Sequence, residues 1–258
     1  MRLEINSIEK GEIFSQCFQH MKTFIDSVNI SFNEDHMYIQ CMDYSMILIM
    51  ELNFPKEWFD VYEVSSPITI GLMTKIWTKV LSTRDKCQSI SINTEDKEDH
   101  LSVRFHSSVA KNIFDKSFEI PLIDLNTELL NIPEVEYCAD ICLPTSSFYS
   151  MVNELKQFGD VMNVECTEEH INMESESEEF GKMNTFIPID DLEEYSINEN
   201  ETVKSSFSLR MVSNICLFQK VAKTIQLGLS EQFPMKLQYM MENDASLKFF
   251  LAPRIEDS

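Results

Sequence analysis

The side chains that could carry out chemistry in this 258-residue chain include five histidines and seven cysteines. The histidines form no HExxH motif, and the closest two cysteines, Cys138 and Cys142, lack the spacing of zinc ribbons and redox motifs. Only five glycines are present, and none stands in a phosphate-binding loop or a dinucleotide-binding pattern. We therefore expect no catalytic residue, no metal site, no cofactor, and free, mostly buried thiols.

The charge of the chain limits its partners. Its formal net charge is -22, from 43 acidic and 21 basic residues. Such a surface repels phosphate, so any contact with DNA must be confined to a local basic face. The start, MRLEINSIEK, is not typical of a signal peptide, and the longest apolar run, Met46 to Met50, is too short to cross a bilayer. We expect an intracellular protein that is not secreted and has no membrane partner.

The last twelve residues, LKFFLAPRIEDS, could recognise a partner peptide. A short apolar strand meets Pro253, which has no amide hydrogen and favours an extended conformation at Ala252. The chain should therefore leave the sheet as an exposed tail, in which Ala252, Pro253 and Ile255 form a short apolar ledge.

The secondary-structure elements of the chain follow an internal repeat at an offset of 134 residues. Residues 12–28 place apolar side chains at helical spacing, which predicts a helix. The pattern returns 134 residues later, with Phe14 matched by Phe148, and it continues to His36 and His170, where a turn should lead into a strand. The chain is therefore predicted to contain two copies of one α+β unit.

Each copy should contain a second helix followed by strands. The helical spacing recurs in two sets of residues: Leu72, Met73, Ile76, Trp77, Val80 and Leu81, and, more weakly, Leu209, Val212, Cys216 and Val221. Alternating apolar residues predict strands around Ile90 and Ile92, Leu101 to Phe105, Ile225 to Leu229, and Leu237 with Tyr239. Each half is predicted to place helices on one side of a mostly antiparallel sheet.

A connector separates the two copies. We predict an N-terminal domain at 1–119, an interdomain connecting loop at 120–137 and a C-terminal domain at 138–258. Pro121 and Pro133 bracket an acidic, leucine-rich stretch. Its apolar residues are too many for a free linker, so it is expected to lie against the protein surface.

Three segments resemble the proliferating cell nuclear antigen family of eukaryotic- and archaeal-type DNA sliding clamps. They are CMDYSMILIMEL from Cys41, IDLNTELLNIPEVEY from Ile123, and LAPRIED from Leu251. The resemblance implies the DNA clamp fold, in which two tandem clamp domains form each chain and three chains close head to tail into a ring. It also implies that helices line the hole for duplex DNA. Nuclear localisation, or a viral replication compartment for a viral member, follows from the same resemblance.

The same resemblance implies DNA-facing cations at Lys22, Lys75 and Arg210, and the repeat adds Lys156 as the counterpart of Lys22. Three cations nearby in the sequence are further candidates: Lys79, Lys220 and Lys223. Several helix positions that are basic in the family are replaced here, by Ser15, Gln16, Ser150 and Asn153. The departure predicts weak contact with DNA, because few cations remain to hold phosphates.

Two further groups of residues are predicted to bind proteins. A groove for partner peptides is assigned to Met42, Leu125, Leu130, Ile132, Pro133, Pro234, Ala252, Pro253 and Ile255. A trimer interface is assigned to edge strands near 112–120 and 181–189, through Ile113, Phe118, Ile120, Met183 and Phe186.

The function that these features favour is that of a non-enzymatic homotrimeric processivity factor. It would encircle DNA without sequence specificity and recruit DNA polymerase, a clamp loader and other replication and repair proteins. One alternative is a subunit of a heteromeric or checkpoint-type clamp. Others are an acidic protein-interaction module that never encircles DNA, and a metal-dependent nuclease. The intact connector and tail favour a partner-binding clamp over these last two.

Overall fold

A computed structural model describes residues 1–94, 99–107, 112–231 and 233–254 of the chain. The chain forms two compact units. Unit 1 comprises Met1–Tyr44, Met50–Leu130 and Met241–Leu247, and unit 2 comprises Ser45–Ile49, Asn131–Met240 and Lys248–Ser258. The domain boundaries at 119 and 137 stay a prediction.

The first half of the chain holds β1 to β9 and two helices. Their bounds are β1 (Arg2–Ile5), α1 (Ile8–Gln19), β2 (Ser27–Phe32), β3 (His36–Met42), β4 (Leu48–Pro55), β5 (Val61–Glu63), β6 (Ile68–Met73), α2 (Thr74–Leu81), β7 (Ser89–Asn93), β8 (His100–His106) and β9 (Lys116–Pro121). One sheet of unit 1 has the order β5-β1-β7-β8-β9. In the other, β4, β3, β2 and β6 are successive neighbours.

The second half repeats this arrangement. Its bounds are β10 (Ala139–Pro144), α3 (Thr145–Leu155), β11 (Val161–Cys166), β12 (His170–Ser177), β13 (Gly181–Pro188), β14 (Glu194–Ile197), β15 (Val203–Ser208), α4 (Leu209–Cys216), β16 (Thr224–Leu229), β17 (Met235–Met240) and β18 (Ser246–Leu251). One sheet has the order β13-β12-β11-β15, and β14, β10, β16, β17 and β18 are successive neighbours in another. The strand pairs with a defined register in the described residues are antiparallel, including β1 with β7, β2 with β6 and β10 with β16.

Hydrogen bonds confirm the predicted repeat. Strands β3 and β12 begin at His36 and His170, which are 134 residues apart. The Tyr62 hydroxyl donates to the Asn33 carbonyl at 2.9 Å, and in the second copy the Tyr195 hydroxyl donates to the Thr167 carbonyl at 2.7 Å. The same local contact therefore ties the same turn in both copies.

The predicted helix at 12–28 is wrong at its C-terminal end. Helix α1 ends at Gln19, a 3₁₀ turn follows, and Val28 lies in β2. The Thr74 amide donates to the Asp26 carbonyl at 2.8 Å, so this carbonyl pairs with the start of α2. From Ser27 the side chains alternate between buried and half-buried, which is the strand period.

The predicted second helices are also shorter than their apolar patterns. Leu72 and Met73 belong to β6, where they pair with Val28 and Ser27 of β2. Helix α4 ends at Cys216, so Val221 lies beyond it. Apolar residues at a helix boundary can satisfy either period, and strand pairing decides between them here.

Aromatic side chains fill the cores. In unit 1 the ring centres of Phe14 and Phe18 lie 5.0 Å apart, and Phe18 meets Trp77 edge-on at 5.5 Å. In unit 2 Phe218 and Phe249 lie 5.3 Å apart. All seven cysteines are free and five of them are buried, as predicted. Within the described residues, no helix has the length and apolar character needed to cross a membrane.

In each unit, the segment after the final strand pairs with an edge strand of another sheet. The Ile123 amide donates to the Gly71 carbonyl of β6 at 3.0 Å. The Arg254 amide donates to the Ser206 carbonyl of β15 at 2.7 Å. The start of the connector and the start of the tail are therefore equivalent in the repeat.

Candidate functional site

The exposed cations of unit 1 meet at the surface of its two helices. The Thr78 hydroxyl of α2 donates to the Phe18 carbonyl of α1 at 3.1 Å, which joins the helices. Lys75 and Lys79 are one turn apart on the exposed face of α2. Together with Lys22 they line one cleft, so the structure brings these three predicted DNA-facing residues together.

The sequence pattern did not single out two further cations, Arg84 and Lys86, that line the same cleft. The Arg84 guanidinium donates to the carbonyls of Gln88 at 2.7 Å and Lys86 at 3.0 Å. It packs so closely on α1 that a Cβ added at Gly11 would lie 2.3 Å from Arg84 Nη2. Burial lowers the pKa of Arg84. The available signal was the repeat, because this loop corresponds to the one that carries Lys220.

Unit 2 presents its predicted cations more sparsely. Lys156, Arg210, Lys220 and Lys223 are all exposed. The Lys156 ammonium lies 3.4 Å from the Ser213 hydroxyl, which links the end of α3 to α4. Helix α3 itself contains no basic residue. Its exposed side is hydroxyl-rich, and hydroxyls can bind phosphate without adding charge.

Two strand lysines of unit 2 form ion pairs with carboxylates, whereas the predicted DNA-facing cations form none within the described residues. Lys182 and Lys204, on unit 2 strands, pair with Glu174 at 2.7 Å and Glu165 at 2.8 Å. Among the described residues, none of the seven predicted DNA-facing cations forms such a pair. Within that same part of the chain, the four α-helices carry four basic and three acidic residues, against a net charge of -22 overall. The four helices therefore carry a slight excess of positive charge in an acidic chain, and their three basic residues predicted to face DNA form no ion pair within the described residues.

The part of the connector that ends at Leu130 lies against the surface of unit 1, as predicted. Asn29 Nδ2 donates to the Leu125 carbonyl at 3.1 Å, and Gln40 Nε2 donates to the Leu130 carbonyl at 3.0 Å. Leu130 keeps 42% of its surface exposed, while Leu125 and Met42 are half-buried. These three groove residues are available at the surface of unit 1.

Unit 2 carries the other described groove residues. Pro133 and Pro234 are exposed, and three more are half-buried: Ile132, Ala252 and Pro253. The Tyr137 hydroxyl donates to the Pro234 carbonyl at 3.3 Å. Ile255 lies outside the described residues. The groove that would unite both sets stays a prediction.

The predicted interface residues lie on or beside two sheet edges. Strands β9 and β13 are the terminal strands of their sheets, and both leave backbone groups unpaired in one chain. Phe186 is 62% exposed and stacks on His170 with ring centres 4.8 Å apart. Phe118 and Met183 are half-buried.

Two details of these edges differ from the expected strands. Ile113 precedes β9, which begins at Lys116, and Ile189 follows β13 in a 3₁₀ turn. Ile120 pairs with Leu101 and is 1% exposed, so its side chain belongs to the core of unit 1. The interface itself stays a prediction.

Comparisons with known proteins cover nearly the whole chain. The family model for the proliferating cell nuclear antigen N-terminal domain matches residues 3–129, and the C-terminal domain model matches residues 131–254. The proliferating cell nuclear antigen of Chaetomium thermophilum is 25% identical over 254 residues, which is 97% of this chain and 97% of that protein. These matches confirm the predicted α+β fold of two tandem clamp domains. The chain therefore belongs to the proliferating cell nuclear antigen family.

Proposed function

We propose that this chain is a DNA sliding clamp, a non-enzymatic processivity factor that encircles duplex DNA and tethers a polymerase to it. The observation that carries the proposal is the set of exposed cations on and beside the helices, which have no carboxylate partner within the described residues of an otherwise acidic chain. A ring needs only weak phosphate contacts, since encirclement prevents loss while such contacts permit sliding.

Three copies of the chain would close the ring. Strand β9 of one copy would pair with β13 of the next, which repeats one heterologous interface until it closes. This arrangement would also protect both sheet edges from uncontrolled pairing. Family membership supports it, because the matched models cover both domains of such a clamp.

Replication and repair proteins would bind through the apolar groove. The partner class that fits is a short peptide with a glutamine, one aliphatic anchor and two aromatic anchors on a single helical turn. DNA polymerase and a clamp loader are the expected carriers of such peptides. The place of action would be the nucleus or a viral replication compartment.

Sedimentation of the purified chain tests the assembly. We expect a stable trimer without any other protein. A monomer that assembles only with a second, different chain would instead support a heteromeric clamp. A monomer that forms no ring with any clamp subunit, yet binds partner proteins, would support the acidic interaction module.

A further inference from the structure

Between Ile123 and Leu130, side chains and backbone of β6, β2 and β3 hold the connector at four positions. Residues 124–137 have no regular secondary structure. The first anchor is the backbone bridge between Ile123 and Gly71 of β6. A Cβ added at Gly71 would lie 2.2 Å from the Ile123 carbonyl oxygen, so this approach requires glycine.

Asn29 of β2 supplies the next two anchors. Its Nδ2 group donates to the Leu125 carbonyl at 3.1 Å and to the Thr127 hydroxyl at 2.7 Å. One carboxamide nitrogen has two hydrogens and can make both bonds. The side chain therefore fixes two successive points of the connector.

Gln40 of β3 supplies the fourth anchor and bonds both backbone groups of one residue. Its Nε2 group donates to the Leu130 carbonyl at 3.0 Å, while its Oε1 atom accepts the Leu130 amide at 2.6 Å. Gln40 Nε2 also lies 3.2 Å from Glu51 Oε1 and 3.3 Å from the Tyr38 hydroxyl. Those strand residues help to orient the Gln40 carboxamide toward the connector.

We call the bonds from Gly71, Asn29 and Gln40 the connector anchors. The segment that they hold presents apolar side chains to solvent. Leu129 is 61% exposed and Leu130 is 42% exposed, so burial of these side chains does little to hold the segment. The polar bonds from Asn29 and Gln40 hold the backbone instead. A partner that binds these leucines then finds them already ordered, which reduces the entropy cost of binding.

We propose that Asn29 and Gln40 are positioning residues for partner binding, which keep the connector in its binding-competent conformation. The inference rests on the proposed function, because it takes the partner to be the apolar-anchor peptide described above. If the competent conformation is only partly populated, the apparent dissociation constant rises in inverse proportion to that population.

Hydrogen exchange of the free protein tests whether the connector anchors order the connector. In Gln40→Ala we expect the Leu130 amide to exchange at least about 10-fold faster, because its acceptor is lost. Gln238→Ala is the matched control, since Gln238 is a strand glutamine whose Nε2 group bonds Met240 within unit 2. If the Leu130 amide exchanges at the same rate in Gln40→Ala and in the wild type, Gln40 does not anchor the connector.

Binding kinetics test whether an ordered connector speeds up peptide association. A synthetic peptide with a glutamine, an aliphatic anchor and two aromatic anchors should associate about 10-fold more slowly with Gln40→Ala, with little change in dissociation rate. Asn29→Ala, a second variant at an independent anchor, should act in the same direction, and thermal unfolding checks that both variants fold.

The outcomes separate this inference from the proposed function. An unchanged association rate in folded Gln40→Ala and Asn29→Ala, with normal binding by the wild type, would overturn the inference alone. Absence of peptide binding by the wild-type trimer would overturn the proposed groove and this inference with it.

Discussion

The residues assigned to DNA form no ion pair with a carboxylate of the described residues. Lys75 and Lys79 carry charge that no described carboxylate neutralises, whereas Lys182 and Lys204 are each paired with a glutamate. The resemblance to the clamp family predicted Lys75, and Lys79 was a candidate because it lies nearby in the sequence. Neither argument singled out Arg84, whose loop lies outside the periodic helix.

Replacement of Lys75 and Lys79 by alanine should weaken DNA association without unfolding the protein. Each lost phosphate contact should reduce the slope of log affinity against log salt by about 1, so the double variant should lose about 2. Salt titration of binding to duplex DNA measures this slope. The control is Lys56→Ala with Lys204→Ala, which removes two charges that are already paired with carboxylates, outside the two interface strands. Equal slopes in the two double variants would contradict the assignment.

Tyr195 gives a prediction for alkaline pH. Its hydroxyl donates to the Thr167 carbonyl, and burial raises its pKa from 10.0 to about 12. The unfolded chain loses this proton first, so the stabilising contribution is complete below pH 10 and is lost as the pH rises toward 12. Tyr195→Phe should therefore make stability fall less steeply in that interval.

Denaturant unfolding at a series of pH values checks this prediction. Near neutral pH the same variant should lose about 1 kcal/mol of unfolding free energy, because one hydrogen bond is missing. If the wild type and Tyr195→Phe lose stability in parallel above pH 10, the tyrosine is not the group responsible.

At the scale of elements, periodicity predicted the repeat, the main part of each helix and some of the strands, among them β7, β8, β16 and β17. It failed at residues 20–28, where apolar side chains fit a helix but the Asp26 carbonyl accepts the Thr74 amide instead. Local sequence patterns also could not predict the connector anchors. Asn29 and Leu125 are 96 residues apart in sequence, and Gln40 and Leu130 are 90 apart. Such contacts depend on the folded sheet, so neither composition nor spacing reveals them.

The two sheet edges give an element-scale prediction. Phe118→Asp with Phe186→Asp should convert trimers into monomers, because strand pairing would then place carboxylates where apolar side chains must meet. Sedimentation measures the change. Phe180→Asp is the control, since Phe180 is 61% exposed but lies in the turn between β12 and β13. If the double variant still sediments as a trimer, the interface does not lie at these two edges.

At the scale of the whole molecule, the main physical constraint is the contrast between a strongly acidic chain and the few exposed cations on and beside its helices. A chain of net charge -22 that simply adhered to DNA would have to overcome repulsion over most of its surface. A closed ring avoids this requirement, because topology holds it on the duplex and a few cations suffice for contact. Retention on DNA should therefore depend on DNA ends more than on affinity.

Retention on linear duplex DNA with blocked ends tests this claim most directly. The protein is first threaded onto DNA with free ends, both ends are then blocked with bulky bound proteins, and the complex is washed with high salt, which screens phosphate contacts. We predict that the protein stays on the blocked DNA and leaves when a restriction enzyme cuts between the blocks. Equal retention before and after cutting, or equal loss from blocked and unblocked DNA, would contradict encirclement.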